Sequence, residues 1–170
     1  MNDSDDSRNL SLPTGIGSWR DEYGTLKMVD ISLKKPTLRE AKAAGFIKIN
    51  EDTLEKIKND EIPKGNVLAL AKTAGIIAAK KTPELIPMCH SIKLTHIDIK
   101  FFFEVNGIRV ASSIRSVDRT GAEIEAITAV AVTLINIYDM LKALDKEMVI
   151  SDIMLVKKLG GKTGVYVRTD

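Results

Sequence analysis

Across residues 97–105 every second position is apolar: Ile97, Ile99, Phe101, Phe103 and Val105. The intervening positions are polar except Phe102. A period of two predicts a strand with one buried face. Asn106-Gly107 follows, a pair suited to a two-residue hairpin whose turn positions take positive φ. "IRVASSIRSV" then reads as the return strand. The period changes in "GAEIEAITAVAVTLINIYDMLKALDKEM", which predicts a long helix. Between Glu125 and Asp139 lie thirteen residues without charge. A helix apolar nearly all round has to be covered on all sides. One sheet cannot do that in so small a protein, so the pattern predicts cover from a second copy of the chain.

The rest of the chain supplies shorter signals. Pro36 before "TLREAKAA", with Gly45 just beyond, predicts a helix. Residues 46–49 (FIKI) alternate and predict an edge strand. "EDTLEKIKND" reads as a short polar helix. "GNVLALAKTAGIIAAKK" reads as a mostly buried helix that ends before Pro83. "VISDIMLVKK" and "VYVRT" predict two more strands, joined by "LGGKTG". The sum is an α+β fold, an antiparallel sheet with helices on one face. Residues 1–25, with Trp19 and Tyr23, lack periodicity and predict a flexible tail before one domain over residues 26–170.

Composition narrows the function classes. At 170 residues the chain can bury a core, and 44% apolar with 28% charged residues is ordinary for a globular protein. A formal net charge of +2 does not indicate a nucleic-acid partner. The single cysteine makes no internal disulfide and fits a reducing, cytoplasmic setting. The opening "MNDSDDSRN" is acidic and polar, unlike a secretory signal. The uncharged run at 126–138 is short of the roughly 20 residues that span a bilayer.

Candidate chemistry gathers at a few points. Cys89 stands beside His90, which reads as a nucleophile with its base, a metal site or a pocket wall. Neighbours on an extended segment face opposite ways, so the two do not naturally touch. The usual four zinc ligands are not in evidence. His90 follows a proline-bounded turn, a place where binding groups concentrate, and Cys89 reads as a small wall residue. Lys64, beside a glycine before the buried helix, suits an anion at a helix start, or is a solvated lysine. "LGGKTG" lacks the spacing of a phosphate-binding P-loop and lies between strands, but it can carry Lys162 to an anion. Glu123 and Glu125 enter the long helix, where negative charge is favourable. Asp139 and Lys142 share a face near its other end, as an ion pair or an acid–base pair, and Asp139 is expected to be partly desolvated. Glu123 and Asp139 are sixteen residues apart, about 24 Å along a helix. One small site in one chain cannot use both, but antiparallel helices of two copies can bring them together.

Taken in order, "MVDIS", "LREAKAAGFI", "KGNVLALAKTAGIIAAKKTPELIPMCH", "DRTGAEIEAITAVAVTLINIYDMLKA", "MVISDI" and "LVKKLGGKTG" resemble the cyclic pyranopterin monophosphate synthases of molybdenum cofactor biosynthesis. The resemblance covers about residues 28–164. It implies a ferredoxin-like fold, a homo-oligomer (a hexamer built as a trimer of dimers) and sites between subunits. The implied reaction converts 3′,8-cyclo-7,8-dihydro-GTP to cyclic pyranopterin monophosphate and expels pyrophosphate. It implies no required cofactor; Mg2+ on the triphosphate is compatible, and no motif demands it. Carried over by residue, the resemblance makes Asp139 the acid/base group with Lys142 beside it, joined by Lys64 and His90. It assigns substrate contact to Met88, Cys89, His90, Glu123, Ile124, Glu125, Arg39, Lys158, Lys162 and Asp30. Met88 replaces a usual leucine, a tolerable swap, and Asn66 stands where aspartate is common.

Overall fold

The computed structural model describes residues 20–21, 23–161 and 164–169. Most of the predicted tail, Trp19 included, and Lys162 lie outside the described residues. Arg20 and Leu26 form an isolated bridge around a turn in which Asp21 accepts from the Thr25 backbone N–H at 2.8 Å.

The elements run β1 (Thr37–Lys48), α1 (Glu51–Lys58), α2 (Val67–Lys80), α3 (Thr82–Leu85), β2 (Leu94–Glu104), β3 (Gly107–Asp118), α4 (Glu123–Leu141), β4 (Val149–Leu159) and β5 (Tyr166–Val167). They form one antiparallel sheet in the order β2-β3-β1-β4-β5. With β5 set aside, this is the ferredoxin-like split β-α-β arrangement. Helices α2 and α4 lie against one face of the sheet and against each other.

The segment expected to be a helix is instead strand β1. Its residues are good helix formers. In place, Ala41, Ala43 and Ile47 alternate onto the core face, and β1 is hydrogen-bonded on both sides, to β3 and β4. Two ladders outweigh a propensity worth tenths of a kcal/mol per residue. The small residues have a packing reason: a Cβ at Gly45 would come within 2.8 Å of Leu134 and Val130 of α4. Residues 46–48 therefore close a central strand, not an edge strand.

The hairpin also differs from expectation. Glu104 pairs with Gly107, so the two-residue loop is Val105-Asn106, and neither takes positive φ. Gly107 is set by space: a Cβ there would lie 2.1 Å from the Ile47 carbonyl oxygen.

The core joins Ile47 of β1, Ile99 of β2, Ile108, Val110 and Ile114 of β3, and Val130, Leu134 and Ile137 of α4. By length and apolar character α4 would suffice to cross a bilayer, but half of it is buried inside this fold. Its cover is incomplete: Ile135 is 57% exposed, and Ile124 is exposed as well. Helix α2 is capped by Asn66, whose side chain accepts from the Ala69 N–H at 2.8 Å. This gives the residue that departs from the common aspartate a local structural role.

Candidate functional site

Helix α4 separates the candidate residues into two groups. At its C-terminal end, Lys142 Nζ lies 2.8 Å from Asp139 Oδ1, and Lys64 Nζ donates to the Asp139 carbonyl at 2.8 Å. Lys64 thus supplies positive charge to a helix end that has spare carbonyls. Lys64 stands just before the α2 N-cap, with its ammonium directed to the end of α4. The expected desolvation of Asp139 is not found: its side chain is 58% exposed, because position 139 points away from the sheet. Hydrogen bonding to Lys142, then the charges of Lys142 and Lys64, hold the carboxyl below its ordinary range. The reciprocal interaction raises Lys142. The pair is an exposed ion pair beside a second cation.

The other group surrounds the N-terminal end of α4. A cavity of about 220 Å³ is lined by Val29, Met88, Cys89, His90, Ile124 and Glu125, among others. Residues 86–93 form the loop after α3, and the fold lays them against the first turn of α4. His90 Nε2 lies 2.7 Å from the Val29 carbonyl. A carbonyl only accepts, so Nε2 carries the proton, and in the neutral ring Nδ1 is left as an acceptor. Asp30 turns into its own chain, where hydrogen bonding from the Ser32 side chain, then from the Ser32 N–H at 2.8 Å, lowers its carboxyl; His90 adds a smaller electrostatic part. Cys89 is partly buried, and burial, followed by the charge of Glu125, pushes its thiol up. That is the reverse of what activates a cysteine nucleophile.

Glu123 and Glu125 differ sharply despite their spacing. Glu123 pairs with Lys158 of β4 at 3.1 Å. Glu125 is 3% exposed, and burial pushes its carboxyl up to about 7. Arg39 donates to the Asp118 and Arg119 carbonyls. Gly161, at φ +81°, packs over the guanidinium so closely that a Cβ would lie 1.8 Å from Nη1. The positive φ favours glycine there, and any side chain would displace the guanidinium.

The fold therefore brings Met88, Cys89, His90, Ile124 and Glu125 to one cavity, with the Glu123–Lys158 pair entering the same helix turn. It leaves Asp139, Lys142 and Lys64 at the far end of α4. Lys34 and Thr120 also line the cavity; no spacing in the sequence marks them, since their chain segments are irregular. His96 lies on the opposite face of the sheet. There a groove of about 440 Å³ also holds Lys42, Asp98 and Arg115. Its carboxylates are each shared between two cations, Arg115 and Lys42 on Glu40 and Lys72 and Lys100 on Asp98. The smaller cavity, with its buried carboxyl, is the better candidate site. Among the described residues no three His, Cys, Asp or Glu side chains gather in a way that could hold a metal ion.

Comparison with known proteins supplies the remaining finding. A sequence model of the MoaC family matches residues 28–161. The chain is 47% identical over 152 residues to a cyclic pyranopterin monophosphate synthase of Heliobacterium modesticaldum, covering 88% of this chain and 96% of that one. It is 52% identical over 149 residues to the protein of the same name from Clostridium acetobutylicum, covering 86% and 92%. A third such relative, from Roseiflexus, is 46% identical over 149 residues, covering 86% and 94%.

Proposed function

The chain belongs to the MoaC family, and from that membership we propose that it converts 3′,8-cyclo-7,8-dihydro-GTP to cyclic pyranopterin monophosphate with release of pyrophosphate. The observation that carries the substrate reading is the cavity in which residues 88–90 meet Ile124 and Glu125. These are the segments whose counterparts the family resemblance assigns to substrate contact.

In this reading the ring of the nucleotide occupies the cavity, against Met88, Cys89 and Ile124. His90 and Glu125 supply the polar contacts, with Asp30 behind His90. Arg39, Lys158 and Lys162 take the phosphates, for which guanidinium and ammonium groups are suited. Asp139 exchanges protons as the ring opens and the cyclic phosphate closes, with Lys142 and Lys64 holding it ionised. Cationic groups stabilise the departing pyrophosphate. No resident cofactor enters this scheme; a divalent cation such as Mg2+ would arrive on the triphosphate.

Asp139 is about 24 Å along α4 from Glu123. Each reaction centre is therefore built from two chains, the cavity of one facing the Asp139 end of another. The exposed Ile124 and Ile135 on α4 support such cover, and a hexamer made as a trimer of dimers is the assembly proposed. The test supplies the purified cyclic nucleotide and follows pyrophosphate. Wild type is expected to release it, Asp139→Asn and Lys142→Ala to lose the activity severely, and Cys89→Ala to lose little. Binding without any turnover by wild type would leave a nucleotide-binding module. Loss confined to Cys89→Ala would leave a thiol enzyme.

A further inference from the structure

Residues 29–34 form one wall of the cavity through Val29, Ile31 and Lys34. They belong to no helix or strand, and all but Val29 and Ile31 are exposed. Two bonds within the segment, from Ser32 N–H to Asp30 and from Lys34 N–H to the Ile31 carbonyl, shape its turn but fasten it to nothing else. Among the described residues, two hydrogen bonds from the rest of the fold reach it. His90 holds the Val29 carbonyl at one end. At the other end Arg119 Nε donates to the Lys34 carbonyl at 3.1 Å.

The main chain of Arg119 is itself fixed. Its N–H donates to Asp118 Oδ1 at 2.7 Å, and its carbonyl accepts from Arg39 at 3.3 Å. Asp118 Oδ2 also accepts the Lys93 N–H at 3.1 Å, at the end of the loop that carries Met88, Cys89 and His90. The corner that follows β3 therefore fastens two walls of the cavity and the Arg39 guanidinium.

We infer that Arg119 is a positioning residue whose Nε–H clasps residues 29–34 in place, so that the cavity is formed before substrate arrives. The consequence for turnover rests on the substrate reading above. With the clasp lost, part of the population has the wall displaced, and apparent affinity falls by that fraction. Bound substrate restores the wall, so the loss shows in KM and not in kcat. A hydrogen bond of ordinary strength shifts the ratio of held to free wall about fivefold.

The competing role for an exposed arginine here is direct attraction of the substrate phosphates by its charge. Two neutral variants separate the roles. In Arg119→Gln the side-chain amide nitrogen stands where Nε stood and still donates. In Arg119→Met a methyl group stands there instead. Arg119 is exposed, so neither change disturbs the core.

The experiment measures pyrophosphate release from the cyclic nucleotide by the full chain and both variants. It also measures, without substrate, the rate at which the lysine-specific protease Lys-C cuts after Lys34. Arg119→Met is expected to raise KM about fivefold, with kcat within about twofold of wild type. Its cleavage after Lys34 should be faster by a similar factor, because cutting follows the population of the free segment. Arg119→Gln should match wild type in both. Equal rises in KM for the two variants would assign Arg119 to phosphate attraction and overturn the clasp. Unchanged KM and cleavage in both would leave a surface contact and overturn it as well. A fall in kcat with KM unchanged would also overturn it. Wild type that releases no pyrophosphate, with cleavage faster in Arg119→Met alone, would sink the assigned reaction and leave the clasp standing.

Discussion

Lys64 donates its ammonium to the main-chain carbonyl of Asp139 at 2.8 Å, joining residues 75 apart in the chain. The contact caps α4 and places a second cation beside the Asp139–Lys142 pair. An aspartate so surrounded stays ionised well into acid. Its pairing contributes fully above the unfolded pKa and is lost only as pH falls through the lowered folded value. Lys142→Ala removes the largest cause of that lowering. The Asp139 carboxyl should then titrate at higher pH, as read by carbon NMR. Turnover should fall on the order of 10²–10⁴-fold, the usual range for a lost acid–base group, with only a slight fall in thermal midpoint, as for an exposed ion pair.

The sign is opposite at Glu125. Its carboxyl is raised by burial, so the folded protein binds a proton that the unfolded chain has already released. Stability should therefore fall as pH rises from about 4.5 to about 7. Glu125→Gln should abolish that slope and be the more stable protein at pH 8. Each tenfold difference in proton affinity between the folded and unfolded chain is worth about 1.4 kcal/mol, so the gain is at most about 3 kcal/mol. Urea unfolding of both proteins at pH 5 and pH 8 reads it.

Ile135 is 57% exposed on a helix whose other face is core. Ile135→Glu should leave a folded monomer and abolish turnover, since each reaction centre is proposed to need two chains. Sedimentation and pyrophosphate release check this together. An Ile135→Glu protein that keeps the wild-type assembly would place the contact elsewhere.

Gly75 sits where α2 meets α4, and a Cβ there would lie 2.1 Å from Thr133 Oγ1 and 2.9 Å from the Ala129 carbonyl. Gly75→Ala has to push the helices apart. We expect a loss of about 1–3 kcal/mol, typical of overpacking, measured by denaturant unfolding.

At the N-terminus of α2, Asn66→Ala should cost about 1 kcal/mol through loss of the cap to Ala69. Asn66→Asp should be neutral or slightly stabilising, because a carboxylate caps equally well and meets the positive helix end.

Periodicity made α1, α2, β2, β3, α4 and β4 legible, since each buries one face or one stripe and its sequence repeats accordingly. It misread residues 37–44. Alanines, lysine and glutamate there carry a helical preference, and the reason for small residues, the approach of Val130 and Leu134 to Gly45, lies more than eighty residues away. The hairpin was found but shifted by one residue, because Gly107 answers to the Ile47 carbonyl and not to the turn.

For the site, the sequence by itself marked the candidate residues and determined that Glu123 and Asp139 are too far apart on one helix to act together. Spacing along a helix is a local quantity, fixed by its rise per residue. Only the tertiary structure decided that Cys89, His90 and Glu125 share a cavity, that Lys64 serves Asp139, and that of two glutamates two residues apart one is paired and the other buried alone. Those outcomes depend on which segments the sheet brings against α4. Burial and partnership come from that packing, and no local pattern encodes them.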